Sequence, residues 1–189
     1  MSEVNNVVLN PHEGRKRAEY YWFALYTAPR AEKKVSDRLL QIQVEHYLPL
    51  IKKQKVWSDR KKWVEEPLFR SYLFVYISEA EYFNVLNIYG AVKFVSFGGQ
   101  AVNVPHKQIE TIKRMLSAAD DLDVSTEHFE VGMPVKVISG PLTGLFGEIV
   151  NHKGKTRLLL RIHALESVMM AEVSEKHCEP AEQFELQIV

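Results

Sequence analysis

Hydrophobic and polar positions at the start of the folded region first follow a strand pattern and then a helix pattern. Residues 20–26 form a continuous apolar run, which is short enough for a strand buried on both faces. Pro29 suits the first turn of a helix, and apolar residues follow at helical spacing as Ala31, Val35, Leu39 and Ile42. The pattern therefore predicts a strand followed by an amphipathic helix.

Two extended segments come next, joined by a charged tip at 58–62. The first covers about 44–57, and the second runs from 63 to 77. Within the second, residues 72–77 are apolar throughout, which is typical of a central strand. The sequence therefore predicts two strands around a solvated tip.

Residues that begin and end helices mark the elements that follow. Ser78 and Glu81 have the spacing of a capping box, and Gly90 suits a C-terminal stop. A strand is predicted at 92–97, and Pro105 begins a last helix. The order of strand, helix, strand, strand, helix and strand, with an added helix, predicts an α+β domain of the ferredoxin-like, split βαβ kind at 20–120.

Short β-like segments with tight turns dominate the rest of the chain. They lie at 135–139, 145–151, 157–163 and 168–173, and they predict a small β-barrel at 130–180. The acidic stretch around 121–129 lacks a sustained period, so we expect a linker there. We also expect a flexible N-terminal arm at 1–19 and a C-terminal tail at 181–189.

Part of the predicted barrel also fits a helix. Apolar residues recur at helical spacing as Leu158, Ile162, Leu165, Met169 and Val173. The glycines and the proline between 140 and 147 disfavour a partner helix for this segment. We therefore hypothesise a stable barrel, with a helical hairpin as the alternative.

The charge of the chain is divided unevenly. Residues 1–120 hold 18 basic and 13 acidic side chains, a net charge of +5, whereas residues 121–189 hold 6 and 11, a net charge of −5. Opposite signs favour two domains, the first of them near a polyanion.

Cysteine content and hydropathy bear on the compartment. Cys178 is the only cysteine, which excludes an intrachain disulfide and fits a reducing cytoplasm. No apolar run approaches the roughly 18 residues that a membrane helix needs. We therefore expect a soluble, cytoplasmic protein without a membrane segment.

One glycine-rich turn resembles a known motif. The stretch "GPLTGLFGEIV" at 140–150 resembles the KOW motif, a turn between the first two strands of an SH3-like barrel, with Gly140, Pro141, Gly144 and Gly147 as its turn residues. Glycine permits positive φ and close backbone approach, and proline presets one φ. By itself the pattern also fits other hairpins that contain glycine.

The first domain adds a second resemblance, to the N-terminal (NGN) domain of NusG-type transcription factors. The matching pieces are "WFALYTAPRAEKKV" at 22–35, "PLFRSYLFV" at 67–75, and "VKFVSFGG" at 92–99 followed by "AVNVP" at 101–105. Together with the KOW-like motif, they cover residues 20–178 in the family's order. The chain departs from the family at Arg70 and Ser71, where Pro and Gly are common.

The resemblance implies a partner for the first domain. In the family, an apolar patch on this domain binds the clamp helices of the largest subunit of RNA polymerase. By position, the patch would comprise Tyr26, Phe69, Tyr72, Phe74 and Phe97. An exposed aromatic patch usually marks a partner surface, whereas the alternative is that these rings form the core.

Basic residues are concentrated in the predicted hairpin. They are Lys52, Lys53, Lys55, Arg60, Lys61 and Lys62, and Trp57 and Trp63 lie beside them. Cations along a hairpin can bind phosphates while an indole stacks on a base, so we assign nucleic-acid binding to the six cations and Trp57. Non-template DNA or nascent RNA is the expected ligand, and a solvated hairpin edge is the alternative. A second, weaker candidate surface comprises Arg30, Lys33, Lys34 and Arg38.

The barrel differs from that of the general factors. Housekeeping members carry an Ile-Phe-Gly-Arg loop that binds ribosomal protein S10 or the termination factor Rho, but this chain has Ile162, His163, Ala164 and Leu165. Binding of S10 remains possible under the resemblance, whereas Rho is not expected. The difference favours a specialised paralogue similar to RfaH and the bacterial antiterminators of polysaccharide operons, which increase processivity on long operons. The alternatives are a housekeeping NusG-type factor and a ribosome-associated KOW protein that binds RNA.

The residue pattern does not predict an enzyme. His177 and Cys178 are adjacent but lack the paired spacing of a zinc site, and the glycines at 140–147 lack the ending of a phosphate-binding loop. We therefore expect no catalytic residues, no metal and no cofactor.

Overall fold

The computed structural model describes residues 19–56, 61–119 and 121–182, without the side chains of Lys55 and Val56. Apart from Glu19, Ala181 and Glu182, the predicted N-terminal arm and C-terminal tail lie outside these residues. Two compact units divide the chain, Met1–Val104 and Pro105–Val189. Both contain sheets, and the described residues form a mixed α/β fold with few helices.

The first unit is built around one antiparallel sheet. Its elements are β1 (Tyr21–Thr27), α1 (Glu32–Gln41), β2 (Glu45–Tyr47), β3 (Leu50–Val56), β4 (Lys61–Pro67), β5 (Tyr72–Ile77), α2 (Tyr82–Leu86), β6 (Ala91–Phe94), β7 (Ser96–Phe97), β8 (Gln100–Ala101) and β9 (Asn103–Val104). The main sheet has the strand order β2-β5-β1-β6, and β9 also pairs with β1. The predicted order of strands and helices is found, and β5 is central, as its apolar run predicts.

The predicted pair of extended segments is subdivided in the structure. The first becomes β2 and β3, and the second becomes β4 and β5, separated by a turn at 68–71. Strands β3 and β4 pair only with each other in the described sheets, so they form a hairpin separate from the main sheet. Lys61 and Lys62 lie in β4 and not in the tip, where the sequence pattern placed them.

The core of the first unit lies between the sheet and its two helices. Alternate residues of β1 and β5 point to this side and pack with α1, α2 and β6; the buried cluster includes Phe23, Leu25, Val35, Leu39, Leu73, Val75, Ile77, Val85 and Phe94. The predicted capping box is confirmed: the Ser78 backbone N–H donates to the Glu81 carboxylate at 3.1 Å, and the Ser78 side chain accepts the Glu81 backbone N–H. The Ser78 hydroxyl also donates to the Glu81 carboxylate, at 2.7 Å. The capping box begins a 3₁₀ turn that leads into the short α2.

The second unit is a curved succession of antiparallel strands preceded by a helix. Its elements are α3 (His106–Ala118), β10 (Leu122–Ser125), β11 (Met133–Val137), β12 (Phe146–His152), β13 (Lys155–Ile162), β14 (Ser167–Glu172) and β15 (Cys178–Pro180). The strand order is β10-β14-β13-β12-β11-β15. Strands therefore occur at all four places where the sequence predicts them, and the helical alternative at 158–173 is not found.

The segment predicted as a linker contributes a strand. β10 pairs along β14, from Leu122 opposite Ala171 to Ser125 opposite Val168. Just before it, the carboxylate of Asp121 accepts a hydrogen bond from Arg157 at 2.9 Å, and the Asp121 carbonyl accepts another at 3.2 Å. The acidic composition therefore reflects an edge strand held by a cation on β13, as well as solvent exposure.

Helix α3 is grouped with the strands of the second unit. The side-chain amide of Gln108 donates to the carbonyl of Arg161 at 2.9 Å, and Arg114 donates to the carbonyl of Thr143. The sequence assigns this helix to the first domain, which ends at residue 120. That domain boundary remains a prediction.

Candidate functional site

Six aromatic residues lie on the face of the main sheet opposite the helices. We call this surface the aromatic face; it comprises Trp22 and Tyr26 of β1, Tyr47 of β2, and Tyr72, Phe74 and Tyr76 of β5. It arises because side chains alternate along a strand, and the residues between these aromatics point into the helix-covered core. Phe69, in the turn before β5, packs against the same face.

The rings of the aromatic face contact one another. The Tyr26 and Tyr72 ring centroids are 5.3 Å apart across β1 and β5. Phe74 stacks on Tyr47 at 6.4 Å and meets Phe69 edge-on at 6.0 Å. These spacings are those of favourable aromatic pairs, so the rings hold each other in fixed positions.

The structure brings together four of the five residues predicted to bind polymerase. Tyr26 and Tyr72 are half-buried, whereas Phe69 is 3% exposed and Phe74 is fully buried. Phe97 lies on the separate β7–β8 ribbon and is 86% exposed. Phe69 and Phe74 are therefore buried, as the alternative interpretation of these rings as core predicts, whereas Tyr26 and Tyr72 keep part of their surface accessible.

The sequence pattern missed three members of the aromatic face, Trp22, Tyr47 and Tyr76. Trp22 and Tyr47 are buried, at 3% and 9% exposed, and Tyr76 is half-buried. The apolar runs at 20–26 and 72–77 predict strands buried on both faces, so they do not separate the aromatic face from the core, and Tyr47 lies in a strand of three residues that is too short to show a pattern.

The β3–β4 hairpin carries the predicted nucleic-acid-binding cations. Lys52, Lys53, Lys61 and Lys62 are exposed. In the register, Lys52 lies opposite Glu65, Lys53 opposite Val64, and Lys55 opposite Lys62. Trp57 and Arg60 lie outside the described residues.

A cleft at the base of this hairpin is lined by further basic residues. Its volume is about 810 Å³, and it is lined by Pro29, Arg30, Glu32, Lys33, Lys34, Glu66, Pro67, Arg70 and Ser71. Of the second surface predicted from the sequence, Arg30, Lys33 and Lys34 line this cleft but Arg38 does not. The Arg38 guanidinium lies over the Tyr89 ring at 5.4 Å and donates to the Tyr89 carbonyl at 3.0 Å. The cleft adds Arg70, which the helix pattern of α1 does not reveal.

Two residues that line the cleft have an unusual backbone. Arg30 and Ser71 both have φ of 63°, in the left-handed region that residues other than glycine rarely adopt. Ser71 is held there because its N–H donates to the buried Glu32 carboxylate at 2.7 Å. This geometry explains the departure from the family pattern, since Ser71 takes the backbone conformation that the usual glycine would adopt freely.

The glycine-rich turn of the second unit has two kinds of glycine. Gly140 and Gly144 have φ of 85° and 81°, and together with Pro141 they form the turn between β11 and β12. Gly147 instead lies within β12, where an added Cβ would be 2.8 Å from both Leu158 Cδ1 and the Leu159 carbonyl oxygen. Gly147 is therefore required by close strand packing and is not part of the turn.

The region that replaces the family's Ile-Phe-Gly-Arg loop is a single 3₁₀ turn, His163–Leu165. Arg161, just before it, forms a two-pronged ion pair with Glu148, with hydrogen bonds of 2.7 and 2.8 Å. The hydrogen bond to Glu148 raises the pKa of Arg161, which favours the charged guanidinium. Glu148 also accepts the Gly132 N–H at 2.8 Å, which fixes the chain that leads into β11.

Among residues 19–56, 61–119 and 121–182, no group of three His, Cys, Asp or Glu side chains is placed to hold a metal ion. Over the same part of the chain, no helix is both long enough and apolar enough to span a bilayer.

Comparisons with known proteins agree with the resemblance of the first domain to NusG-type transcription factors. The family model described as NusG, transcription termination factor nusG, matches residues 20–113. A solved structure described as "Domain interaction in Thermotoga maritima NusG" is similar over 87% of this chain and 98% of that chain, with a TM-score of 0.50 and 22% identity. At this identity, the likeness shows the fold alone.

A second solved structure is more distant. The MjSpt4:Spt5 complex matches over 86% of this chain and 97% of that chain, but with a TM-score of 0.27 and 16% identity, which is too low to support an argument. Residues 20–113 are therefore similar to the NusG family of transcription factors, and the chain has a mixed α/β fold similar to that of NusG.

Proposed function

We propose that the chain is a transcription elongation and antitermination factor. In this proposal, the first unit is a ferredoxin-like NGN domain and the second is an SH3-like KOW barrel. The strand order β2-β5-β1-β6 and the glycine turn between β11 and β12 support these two assignments. Neither domain is expected to catalyse a reaction.

The observation that carries the proposal is the aromatic face. Aromatic side chains with polar ends are enriched at protein interfaces, because one part of the ring is buried while the hydroxyl stays hydrogen-bonded. Tyr26 and Tyr72 are half-buried and their rings contact each other, and Phe69 and Phe74 contact each other on the same face. The proposed partner is the clamp helices of the largest RNA polymerase subunit, since an amphipathic helix can place its apolar side on such a surface. Phe97 would add a contact from its ribbon.

Nucleic acid is the second proposed partner. The cleft adjoins the base of the hairpin, because Glu66 and Pro67 belong both to β4 and to the cleft lining. Such a cationic path suits the phosphates of non-template DNA or nascent RNA. The exposed lysines supply charge without buried partners, as expected for a surface that attracts a polyanion.

A specialised antiterminator is favoured over a housekeeping factor. The residues that would bind S10 or Rho in the general factors are replaced here by the 3₁₀ turn His163–Leu165. Recruitment of Rho is therefore not expected, and S10 binding is to be measured separately. The rival class, a ribosome-associated KOW protein, is disfavoured because residues 121–189 carry a net charge of −5, which repels RNA.

Transcription in vitro tests the proposal. Purified polymerase copies a template with an intrinsic terminator, with and without the protein, and the yield of full-length transcript is measured. We expect more readthrough with the protein. An unchanged yield, together with retention of the protein on ribosomes and not on core polymerase, would contradict the proposal.

A further inference from the structure

Trp63 is an exposed aromatic residue on the hairpin, and the positive charge of the hairpin does not explain its exposure. Its side chain lies on strand β4 and is 65% exposed. Tryptophan is usually well buried, because covering its large ring is among the most favourable single contributions to a core or an interface. A tryptophan with most of its surface in solvent, on a regular strand, therefore indicates a surface that a partner covers.

The register of the hairpin identifies the residues around this indole. Trp63 lies opposite Gln54, and one step further from the tip Lys52 lies opposite Glu65. Because side chains two apart share a face, Lys61, Trp63 and Glu65 lie on one face together with Lys52 and Gln54. Trp63 therefore has a cation on either side along the hairpin, Lys61 toward the tip and Lys52 toward the base.

Among the described side chains, the other face of the hairpin has cations and no aromatic residue. Lys53 lies opposite Val64, and Lys62 is two residues before Val64, so these two lysines share the second face. Both are exposed, and Lys55 belongs to the same face by register, opposite Lys62. The second face thus includes at least as many lysines as the first and lacks Trp63, which makes it an internal control for charge.

We propose that Trp63 is a stacking site for an unpaired base, with Lys52 and Lys61 bound to the neighbouring phosphates. The inference rests on the proposed function and narrows its nucleic-acid partner to a single strand. In a duplex, the faces of the bases are covered by their neighbours in the stack, so a ring on a strand surface cannot reach them. In a single strand every base can offer its face, and cations beside the ring attract the backbone.

Charge favours nucleic acid over a protein as the occupant. A protein partner for this face would need acidic groups on both sides of an apolar pocket, whereas a single strand supplies phosphates on both sides of a flat ring as its regular repeat. Glu65 lies on the base side of Trp63, opposite Lys52, and limits the phosphate contact there. The stronger phosphate contact is therefore placed at Lys61, toward the tip.

Equilibrium binding to short labelled oligonucleotides tests the inference with the full chain. The probes are a twelve-nucleotide oligo-dT, an oligo-U of the same length, and a DNA duplex of the same length. The variants are Trp63→Ala, Trp63→Phe, and the double variants Lys52→Gln/Lys61→Gln and Lys53→Gln/Lys62→Gln. Each affinity is measured over a series of salt concentrations. Comparison of oligo-dT with oligo-U shows whether the site prefers single-stranded DNA or single-stranded RNA.

We expect Trp63→Ala to weaken single-strand binding roughly 5- to 150-fold, the cost of losing one stacked base. Trp63→Phe should retain most of the affinity, and duplex binding should change little in either variant. The salt slope, which is the change in the logarithm of the binding constant with the logarithm of salt concentration, should be the same for Trp63→Ala and the wild type, because no phosphate contact is lost. The Lys52→Gln/Lys61→Gln variant should lower the magnitude of the slope by about 1.4, at about 0.7 per phosphate contact, and Lys53→Gln/Lys62→Gln should lower it less.

Two results would overturn the inference: single-strand binding of Trp63→Ala within twofold of wild type, or an equal loss on duplex and single strand. Trp63 is exposed, so its replacement does not threaten the core, and circular dichroism verifies the fold of each variant. Quenching of Trp63 fluorescence by oligo-dT in a Trp57→Phe background is a second readout, because Trp22 is buried.

Polymerase binding is measured in the same variants, to separate a failure of this inference from a failure of the proposed function. If the wild type binds polymerase but Trp63→Ala retains its oligonucleotide affinity, only the stacking site is wrong.

Discussion

His46 is a buried titratable side chain between α1 and β2. It is 3% exposed; its Nδ1–H donates to the Val44 carbonyl at 2.9 Å, and its Nε2 therefore accepts the Ser36 hydroxyl, at 2.8 Å. Burial lowers the pKa of His46, against smaller opposing effects of the Val44 carbonyl and the charge of Asp37. The neutral ring satisfies both partners.

The lowered pKa predicts how stability depends on pH. As pH falls below about 6.5, the unfolded chain binds a proton at residue 46 before the folded chain does, so stability is lost from that pH downward and is complete above it. Urea unfolding between pH 5 and 8 measures this effect. The fall in unfolding free energy should be smaller in His46→Gln than in the wild type; equal slopes for the two proteins would show that His46 is not responsible.

Glu32 is the second buried polar residue with a structural role. Replacing it with Ala leaves the Ser71 N–H without its 2.7 Å acceptor, at a residue whose backbone is already left-handed. The expected loss is about 1–3 kcal/mol of unfolding free energy, the usual range for a hydrogen bond to a charged group. Lys33→Ala, at the exposed neighbouring position, is the control and should stay within about 0.5 kcal/mol of wild type. A similar effect of both variants would contradict the role given to Glu32.

Single residues also show what the sequence could not reveal. The run at 72–77 predicts a central strand, and β5 is central, but an all-apolar run has no polar alternation to separate Leu73 in the core from Tyr72 on the aromatic face. The conformation of Ser71 depends on Glu32, 39 residues earlier in the chain. No local pattern contains a contact of that range.

At the scale of elements, Gly147 controls how closely β12 approaches β13. An added methyl group would meet the Leu159 carbonyl oxygen at 2.8 Å, and backbone atoms cannot move aside cheaply. Gly147→Ala should therefore lower the unfolding free energy by about 1–3 kcal/mol. Asn151→Ala, exposed on the same strand, should change it by less than about 0.5 kcal/mol. Urea unfolding of both variants measures the difference, and a Gly147→Ala variant as stable as wild type would contradict this packing.

Strand β10 shows why one element escaped prediction. Its residues, Leu-Asp-Val-Ser, lie in an acidic stretch whose composition is that of a linker. They become a strand because β14 offers an unpaired edge and Arg157 binds Asp121. The other strands of the second unit are predictable, since their β-like pattern extends over several residues and tight turns separate them. An edge strand of four residues depends instead on its neighbour.

At the scale of the whole molecule, the division of charge agrees with the proposed division of labour. Residues 1–120 have a net charge of +5 and contain the hairpin and the cleft, whereas residues 121–189 have a net charge of −5. The sequence was sufficient to predict this asymmetry and the position of the cationic hairpin. It did not predict that Arg30, Lys33 and Lys34 share a cleft with Arg70, because that arrangement depends on the turn between β4 and β5 meeting α1.

The central claim, that the aromatic face binds polymerase, is tested most directly by the affinity of the chain for purified core RNA polymerase. The comparison is between the wild type, Tyr26→Ala/Tyr72→Ala, and the control Phe83→Ala, an exposed aromatic on α2 at the helix side of the sheet. Circular dichroism and thermal unfolding verify that each variant is folded. We predict at least a 30-fold weaker affinity for the tyrosine double variant, the roughly 2 kcal/mol of a hot-spot aromatic, and near wild-type affinity for Phe83→Ala. A folded double variant that binds polymerase as tightly as the wild type would contradict the account.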